Sequence, residues 1–429
     1  MINTTTKKII FGSLFLLTLS FDSKAQADSL KLYTDTVHLD MNAVEQRFVS
    51  KSLVLIAAKY NVDIAQANVL QAKLWYNPNI SVQTGFYDPI THSFFNRGDN
   101  GNVDAQIQQE FSIVGKYTNT VRLAKLSADE AELAFEDVIR SLKLQLHTDY
   151  GNILYLQQQI NVFHRQQSEL THLIESSEQM FKLGAASGDD VLRLKAELND
   201  LENQEINTLS NMNNAQADMK ILLCYSATTY ISLSDITHEK NTLPPFTQIV
   251  DSTLKSRPDI LLANKDVDLQ RMNVKLQKST AVPDPDFLFS YSQQGSYINN
   301  YTGIGLAIDL PFFNRNQGNI KAARFTLQQS QATDSIKNSS VQNEVADAYI
   351  TYAQVQSRVQ NIDPEYSKQL DDLLTDAYKN YNKRYINLLD FLDQLRTYMS
   401  AKLSLIQLDN NYFNAVQNFN FRTGAHYLK

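Results

Sequence analysis

The sequence predicts a mainly α-helical chain that carries four short membrane-type β-strands and consists of two similar halves. Long stretches have apolar residues at steps of three and four, and each half also contains two short runs in which apolar and polar residues alternate. The halves repeat this order at an offset of about two hundred residues. Four strands are too few to close a wall through lipid, so we expect the working molecule to be an oligomer.

The N-terminal segment, residues 1–25, has the pattern of a secretory signal peptide. Two lysines precede the apolar stretch Ile9–Leu19, and a small-residue cleavage site precedes Gln26. This stretch is shorter than the roughly 20 residues that a membrane-spanning helix needs, and no later segment reaches that length. We therefore expect an exported chain without a spanning helix.

Composition argues against several classes of function. The chain of 429 residues has a formal net charge of -7 and no cluster of Lys and Arg, so we expect no nucleic-acid partner. Cys224 is the only cysteine, which excludes an internal disulfide and a cysteine-rich metal site; we expect it to pack against its neighbours. His164 and His172 are too far apart on one helix to bind a metal together. We expect no metal site and no cofactor.

The helical stretches are long. Tyr117–Lys182 has 66 residues, no proline and a single glycine, and it corresponds to a rod of about 100 Å. Two helices predicted over about residues 40–76 and 189–224 have together nearly the same length as this rod. We therefore expect two short helices to lie end to end beside one long helix. In the second half, Asp363 and Pro364 are expected to break and restart the helix.

The halves are expected to meet near residue 240. We assign residues 26–240 to a first repeat with the order helix, two strands, long helix, hairpin tip and helix, and residues 241–429 to a second repeat of the same type. Between them, Tyr225–Arg257 is predicted to be a linker that contains a short strand at Tyr230–Leu233. One architecture is thus expected twice.

The strand candidates alternate between an apolar and a polar face. In the second run, Asp104, Gln106 and Gln108 alternate with apolar residues, whereas Phe287–Gln294 is ambiguous because three apolar residues follow one another. Membrane strands need about 9 to 11 residues, and we expect the polar face to line a lumen. A soluble sheet would alternate in the same way. The signal peptide favours the membrane, as does an expected interfacial belt of flanking aromatic residues: Tyr87, Phe94, Phe95, Tyr297 and Tyr301.

Each half contains a turn between two long helices. The first turn, Phe181–Leu192, reads FKLGAASGDDVL, and the second, Tyr381–Leu392, reads YNKRYINLLDFL. Both contain an aromatic residue, a small or polar loop, and an aspartate followed by two apolar residues. The strand-to-helix junctions are also distinctive: Leu310–Ile320 reads LPFFNRNQGNI, and Phe111–Lys116 reads FSIVGK.

These motifs resemble the TolC-type outer-membrane efflux protein family over nearly the whole mature chain. The turns are similar to that family's Y-x-x-G hairpin tips, which precede a D-[VF]-L run. Phe181 replaces the tyrosine in the first copy, and Arg384 replaces the glycine in the second, so we expect a different turn geometry there. The two junctions resemble those of the family's heavy-metal efflux branch, which exports cobalt, zinc and cadmium.

The resemblance implies a homotrimer in the outer membrane of a Gram-negative bacterium. Four strands per chain would form a twelve-stranded β-barrel, continued by a long α-helical barrel in the periplasm. It also implies a periplasmic membrane-fusion adaptor and an inner-membrane RND-type pump as partners. The expected function is passive export, here of divalent metal cations, without a catalytic site in this chain.

The resemblance also places functional residues along the channel. Asp390 and Asp393 are expected at the periplasmic aperture, where threefold symmetry would gather six carboxylates that attract cations. Two solvated carboxylates on a helix face would be the simpler interpretation. Asp104, Gln106 and Gln108 are expected to face the lumen. The residues expected to contact the adaptor lie at the hairpin tips: Leu183, Gly184, Ala185, Ser187, Lys383, Arg384, Tyr385 and Asn387.

Three alternatives stay open from the sequence. The duct could serve multidrug export or type I secretion instead of metal export. The chain could also be a surface coiled-coil structural protein, such as an adhesin stalk, although such a protein has no reason to repeat strand pairs and tips at matched spacing. An enzyme with helical insertions is the weakest alternative, because no nucleophile motif or catalytic triad is recognisable.

Overall fold

A computed structural model of the chain describes five segments: residues 33–89, 92–96, 101–234, 243–294 and 297–428. The predicted signal peptide lies outside the described residues. Across these segments, none of the helices combines the length and the apolar character that crossing a membrane requires.

The first half follows the predicted order with two additions. The helix predicted over residues 40–76 is interrupted at Ser52, whose backbone is extended. A strand that the sequence analysis missed precedes it and pairs in parallel with the predicted strand near Tyr230. The elements of this half are β1 Asp35–Leu39, α1 Met41–Lys51, α2 Leu53–Ala72, β2 Asn79–Thr84, β3 Tyr87–Asp88, β4 Ser93–Phe94, β5 Val103–Glu110, α3 Lys116–Lys182, α4 Gly188–Leu223 and β6 Thr229–Leu233.

The second half contains one helix more than predicted. The segment predicted as a linker forms a helix whose Ile249 is fully buried. The predicted break at Asp363 is confirmed, because one helix ends at Gln360 and the next begins at Tyr366. Asp363 lies in the turn between them, where its carboxylate accepts a hydrogen bond from the backbone N–H of Glu365 at 2.9 Å, but the residue that caps the new helix is Glu365 and not Asp363. The elements are α5 Phe246–Ser256, α6 Pro258–Thr280, β7 Pro285–Gln294, β8 Asn299–Ile308, α7 Gln317–Gln360, α8 Tyr366–Asn382 and α9 Leu388–Thr423.

The long helix α3 organises the molecule. It has 67 residues, and both α2 and α4 pack along it, as the matched lengths predicted. Its single glycine, Gly151, lies where α9 approaches closely: a Cβ added there would be 2.5 Å from Cδ1 of Phe413. Glycine is thus required by packing at this point, although it disfavours the helix itself.

Three separate clusters of buried apolar side chains hold the helices together. One cluster joins α3, α4, α8 and α9 near the two turns and includes Leu194 and Phe391. A second joins α1, α3, α4 and the β1–β6 pair around Phe48. The third joins α5, α6, α7 and α9 around Tyr352. The core is therefore a row of clusters along the helices.

The four predicted strands form one antiparallel sheet in the order β2-β5-β7-β8. β7 and β8 have ten residues each, but β2 has six and β5 has eight, which is shorter than predicted. After β2 the chain turns into the small β3–β4 pair, in which Tyr87 is opposite Phe94. Within the described part, β2 and β8 are the two edges of the sheet.

Candidate functional site

The sheet presents one polar face that includes the residues predicted to line a lumen. Asp104, Gln106 and Gln108 alternate along β5 and therefore share one side. Their partners on the neighbouring strands are also mostly polar, since Asp104 is opposite Ser292 and Gln106 is opposite Ser290. Tyr301 belongs to this polar face as well, because it is opposite Ser292 and not on the apolar side.

The opposite face of the sheet is apolar and exposed. The register aligns Ile107 with Phe289, and Phe289 with Ile304, so that large side chains from three strands form a continuous surface. Ile304 exposes 90% of its area and Val82 exposes 69%. The ambiguous third strand is resolved, because Phe289 lies on the apolar face and Leu288 on the polar one. Such an exposed apolar face marks a membrane or protein contact.

The two hairpin tips have the same backbone geometry at matched positions. In the first tip, the N–H of Gly184 donates to the carbonyl of Phe181 at 2.9 Å. In the second tip, the N–H of Arg384 donates to the carbonyl of Tyr381 at the same distance. Gly184 has φ +71° and Arg384 has φ +60°, both left-handed. The expectation of a different second turn was therefore wrong: the hydrogen bonds impose one geometry whether or not the residue is glycine.

Capping side chains end both tips in the same way. Ser187 accepts a hydrogen bond from the N–H of Asp189, at 3.2 Å, and starts α4. Asn387 accepts one from the N–H of Asp390, at 2.9 Å, and starts α9. The structure thus places at two tips the eight residues that the sequence analysis selected as adaptor contacts.

The comparisons with known proteins agree with this geometry. The profile of the family described as outer membrane efflux protein matches twice, over residues 46–223 and 249–425. The chain belongs to the outer membrane efflux protein family. The resemblance inferred from the motifs is confirmed, and this chain is an efflux protein of the outer membrane.

Individual relatives are distant in sequence and similar in fold. The chain is 18% identical over 351 residues to the cobalt-zinc-cadmium resistance protein CzcC of Cupriavidus metallidurans, covering 81% of each chain. The CmeC outer membrane channel of Campylobacter jejuni superposes with a TM-score of 0.75 at 16% identity, covering 90% of this chain and 86% of that one. CusC gives a TM-score of 0.69 at 17% identity, covering 92% and 93%.

In the efflux protein, Asp390 and Asp393 lie in the first turns of α9 beside the second tip. Both are exposed, while Phe391 and Leu392 between them are buried in the core near the tips. The two carboxylates therefore point away from that core. Within the single chain, the first tip, the second tip and the start of α9, which carries the two aspartates, are neighbours.

A pair of charges near the tips was missed by the sequence analysis. Glu197 of α4 is buried, and its carboxylate accepts hydrogen bonds from Arg396 of α9 at 2.6 and 3.0 Å. This fork-to-carboxylate contact connects the first helical hairpin to the second. These hydrogen bonds to Glu197 are the main reason that the pKa of Arg396 is raised. No spacing signal in the sequence indicates the pair, because the residues are 199 positions apart.

The described histidines do not form a metal centre. No group of three or more His, Cys, Asp or Glu side chains in the described segments has a geometry that could hold an ion. His147 instead contacts Glu45 at 2.7 Å and Gln417 at 2.6 Å, and joins α1, α3 and α9. The hydrogen bond from His147 is the largest cause that lowers the pKa of Glu45.

Proposed function

We propose that this efflux protein works as a homotrimer and is the passive outer-membrane duct of a tripartite system. The observation that carries this proposal is the four-stranded sheet, with one exposed apolar face, one polar face and two edges, β2 and β8. Three copies would pair these edges into a closed wall of twelve strands, and the polar face with Asp104, Gln106 and Gln108 would face the passage.

The two helical tips are the proposed contacts with a periplasmic adaptor, which would connect the duct to an inner-membrane RND-type pump. Both tips are formed by exposed residues, and the large side chains of Leu183 and Tyr385 expose 83% and 75% of their area. We also propose that the chain consists of repeats over residues 26–240 and 241–429, preceded by a signal peptide. The family profile, which matches once in each proposed repeat, supports this division.

The proposed cargo is divalent metal cations. The similarity to CzcC and the junction Leu310–Ile320 support metal export, and multidrug export is the alternative. Deleting the gene should increase sensitivity to cobalt, zinc or cadmium, while sensitivity to a panel of drugs should stay unchanged. Increased sensitivity to drugs alone would support the multidrug duct, and complementation with the intact gene is the control.

The aspartates at the second tip provide a direct test of conduction. If Asp390 and Asp393 line the aperture of the trimer, replacing both by alanine should reduce cation selectivity or raise conductance in planar bilayers, because a ring of carboxylates is removed. The exposed Asp189 in the first tip provides a matched control. Unchanged selectivity and conductance would show that the two carboxylates are only solvated.

A further inference from the structure

Two carboxylates meet in the contact between α3 and α6. These helices run in opposite directions, because α3 leads away from the sheet and α6 leads into it. The ammonium group of Lys265 on α6 donates to the carboxylate of Asp129 on α3 at 3.1 Å, which fixes the register of the contact. Glu130 and Asp266 are the next residues on the two helices, and their charges interact. Ionising both would place like charges side by side, which is unfavourable in a helix contact.

Glu130 lacks the partners that a buried carboxylate needs. Its side chain is half-buried, and Oε1 is shielded from solvent without a hydrogen-bond partner in the described segments. Burial, the largest cause, raises the pKa of Glu130 to about 7; Asp266 adds to this increase and Lys265 opposes it. The residue therefore holds a proton at pH 5 and is about half ionised at pH 7. A protonated carboxyl group is a donor, so it can use the neighbouring carboxylate as its acceptor.

Asp266 connects this contact to a third helix. Its Oδ2 accepts a hydrogen bond from the hydroxyl of Ser330 on α7 at 2.6 Å, and its Oδ1 accepts one from the amide of Gln270 at 2.9 Å. Ser330 is buried, so α6 and α7 are joined at this point. Each carboxylate oxygen can accept two hydrogen bonds, which leaves Asp266 able to accept one more from Glu130. A proton on Glu130 thus links α3, α6 and α7 through one carboxylate.

Neighbouring charges compensate the two carboxylates only in part. Lys265 lowers the cost of ionisation, but it also pairs with the exposed Asp129. On α2, which packs on α3 as well, Asp63 is exposed, and so is Glu132 on α3 itself. On α7, Asp334 is half-buried and accepts a hydrogen bond within its own helix. These acidic groups add negative charge to the surroundings, which favours a proton on one of the two carboxylates.

We propose that Glu130 and Asp266 form a proton-sensitive latch between α3 and α6. With a proton taken from water, Glu130 donates to Asp266 and holds α3 against the pair of α6 and α7. When the proton returns to water, the two carboxylates repel each other and the shielded oxygen gains by meeting water, so the contact opens more often. Glu130 lies about 20 Å along α3 from Lys116, so the latch acts on the helical wall next to the sheet. The latch belongs to the fold of one chain, and only its effect on conduction rests on the proposed function.

Amide hydrogen exchange tests whether the contact opens as the proton leaves. The full-length protein in detergent is compared at pH 5 and pH 7.5, with protection corrected for the intrinsic pH dependence of exchange. Between these values the closed contact loses a proton that the open contact has already lost, so the opening constant should increase, by about tenfold once solvent screening is included. The increase should be confined to peptides around Glu130 and Asp266. Equal protection at both pH values would overturn the proposal.

Three variants identify the group that titrates. Glu130→Gln keeps a donor for Asp266 at every pH, so the contact should stay protected and lose its pH dependence. Asp266→Asn removes the like charge but not the burial, so the increase should become smaller. The matched control is Glu132→Gln, because Glu132 is an exposed carboxylate on the same helix that contacts Gln66 at 3.3 Å; the increase should persist. A full increase in Glu130→Gln, or its loss in Glu132→Gln, would overturn the proposal.

The effect on conduction is measured separately in planar bilayers. Local opening of a wall helix adds fluctuations to the current through a channel, so the intact protein should show larger fluctuations at pH 7.5 than at pH 5. Glu130→Gln should lose this increase. Equal increases in the intact protein and in Glu130→Gln would overturn the effect on the channel. Absence of any channel current would reject the proposed function, and hydrogen exchange would still decide whether the latch exists.

Discussion

The two halves of the chain build the same tip from different residues. Gly184 and Arg384 occupy matched positions and adopt the same left-handed conformation, which costs a residue with a Cβ about 1 kcal/mol. In the second tip, the guanidinium of Arg384 also donates to the carbonyl of Ala185 in the first tip at 3.2 Å. Backbone hydrogen bonds and caps therefore fix this turn, and the residue at its centre is free to take another role.

Two buried charged sites, one in each half, are satisfied in different ways. In the second half, Arg257 is almost fully buried and contacts Asp259 at 2.8 Å and Glu344 at 2.6 Å, so that each charge has a partner. In the first half, Asp149 is buried with one carboxylate oxygen that has no hydrogen-bond partner in the described segments. The site around Arg257 satisfies its charges by pairing, and Asp149 is expected to be satisfied by holding a proton.

The largest effect is expected at the paired charges. Replacing Arg257 by methionine should lower the free energy of unfolding by about 3 kcal/mol, because the buried Asp259 loses both of its hydrogen bonds to Arg257 and keeps only the ion pairs with Lys337 and Arg140. Thermal unfolding in detergent measures the change. The matched control is Arg271→Met, which breaks an exposed pair with Asp268 and should cost less than about 1 kcal/mol. Equal losses in the two variants would contradict the comparison.

The contact between the two hairpins gives the next effect. Replacing Arg396 by methionine leaves the buried carboxylate of Glu197 without its partner and should lower the free energy of unfolding by about 2 kcal/mol. Amide hydrogen exchange near the tips should increase at the same time. Arg193→Met on the exposed side of α4 provides the control. Unchanged exchange near the tips would show that the pair does not hold the hairpins together.

Asp149 should produce a pH dependence. Burial, the dominant cause, raises the pKa of this carboxyl to about 6, with Asp218 adding to it. The folded chain then binds more protons than the unfolded chain between about pH 4 and 6, so this group makes stability fall as the pH rises through that window. Asp149→Asn should remove this fall, on the order of 1 kcal/mol. A variant with the same slope as the intact protein would place the titration elsewhere.

Exchanging the tip residues gives the smallest effect. Gly184→Arg should lower stability by about 1 kcal/mol, because it introduces the left-handed strain. Arg384→Gly should change stability by less than about 0.5 kcal/mol, because relief of strain is offset by loss of the hydrogen bond to Ala185. Thermal unfolding of both variants measures this. A full gain of about 1 kcal/mol in Arg384→Gly would show that the contact between tips contributes nothing.

Much of the fold could be predicted because it depends on local periodicity. The length of α3, the break at Asp363 and the two faces of β5 all follow from the spacing of neighbouring residues. The features that were missed depend on distant residues or were hidden by a local signal. β1 pairs with β6 in parallel from nearly two hundred positions away, and a proline pair concealed the start of α5.

The candidate site shows the same limit. The tip residues were found because both copies share a frame, but the geometry of the second tip was wrongly predicted from the identity of Arg384 alone. The exposed aromatic residues Trp75 and Phe313 were missed because a sequence does not give the exposure of a side chain. The roles of Asp390 and Asp393 depend on symmetry copies and stay predictions.

The central claim is that three chains combine their sheets in the outer membrane. The direct measurement is the protein mass of the complex extracted from outer membranes, corrected for bound detergent, by light scattering. We predict a mass about three times that of the mature chain, with the complex in the detergent-extracted membrane fraction. A single-chain mass, or a protein recovered from the aqueous fraction without detergent, would contradict the account.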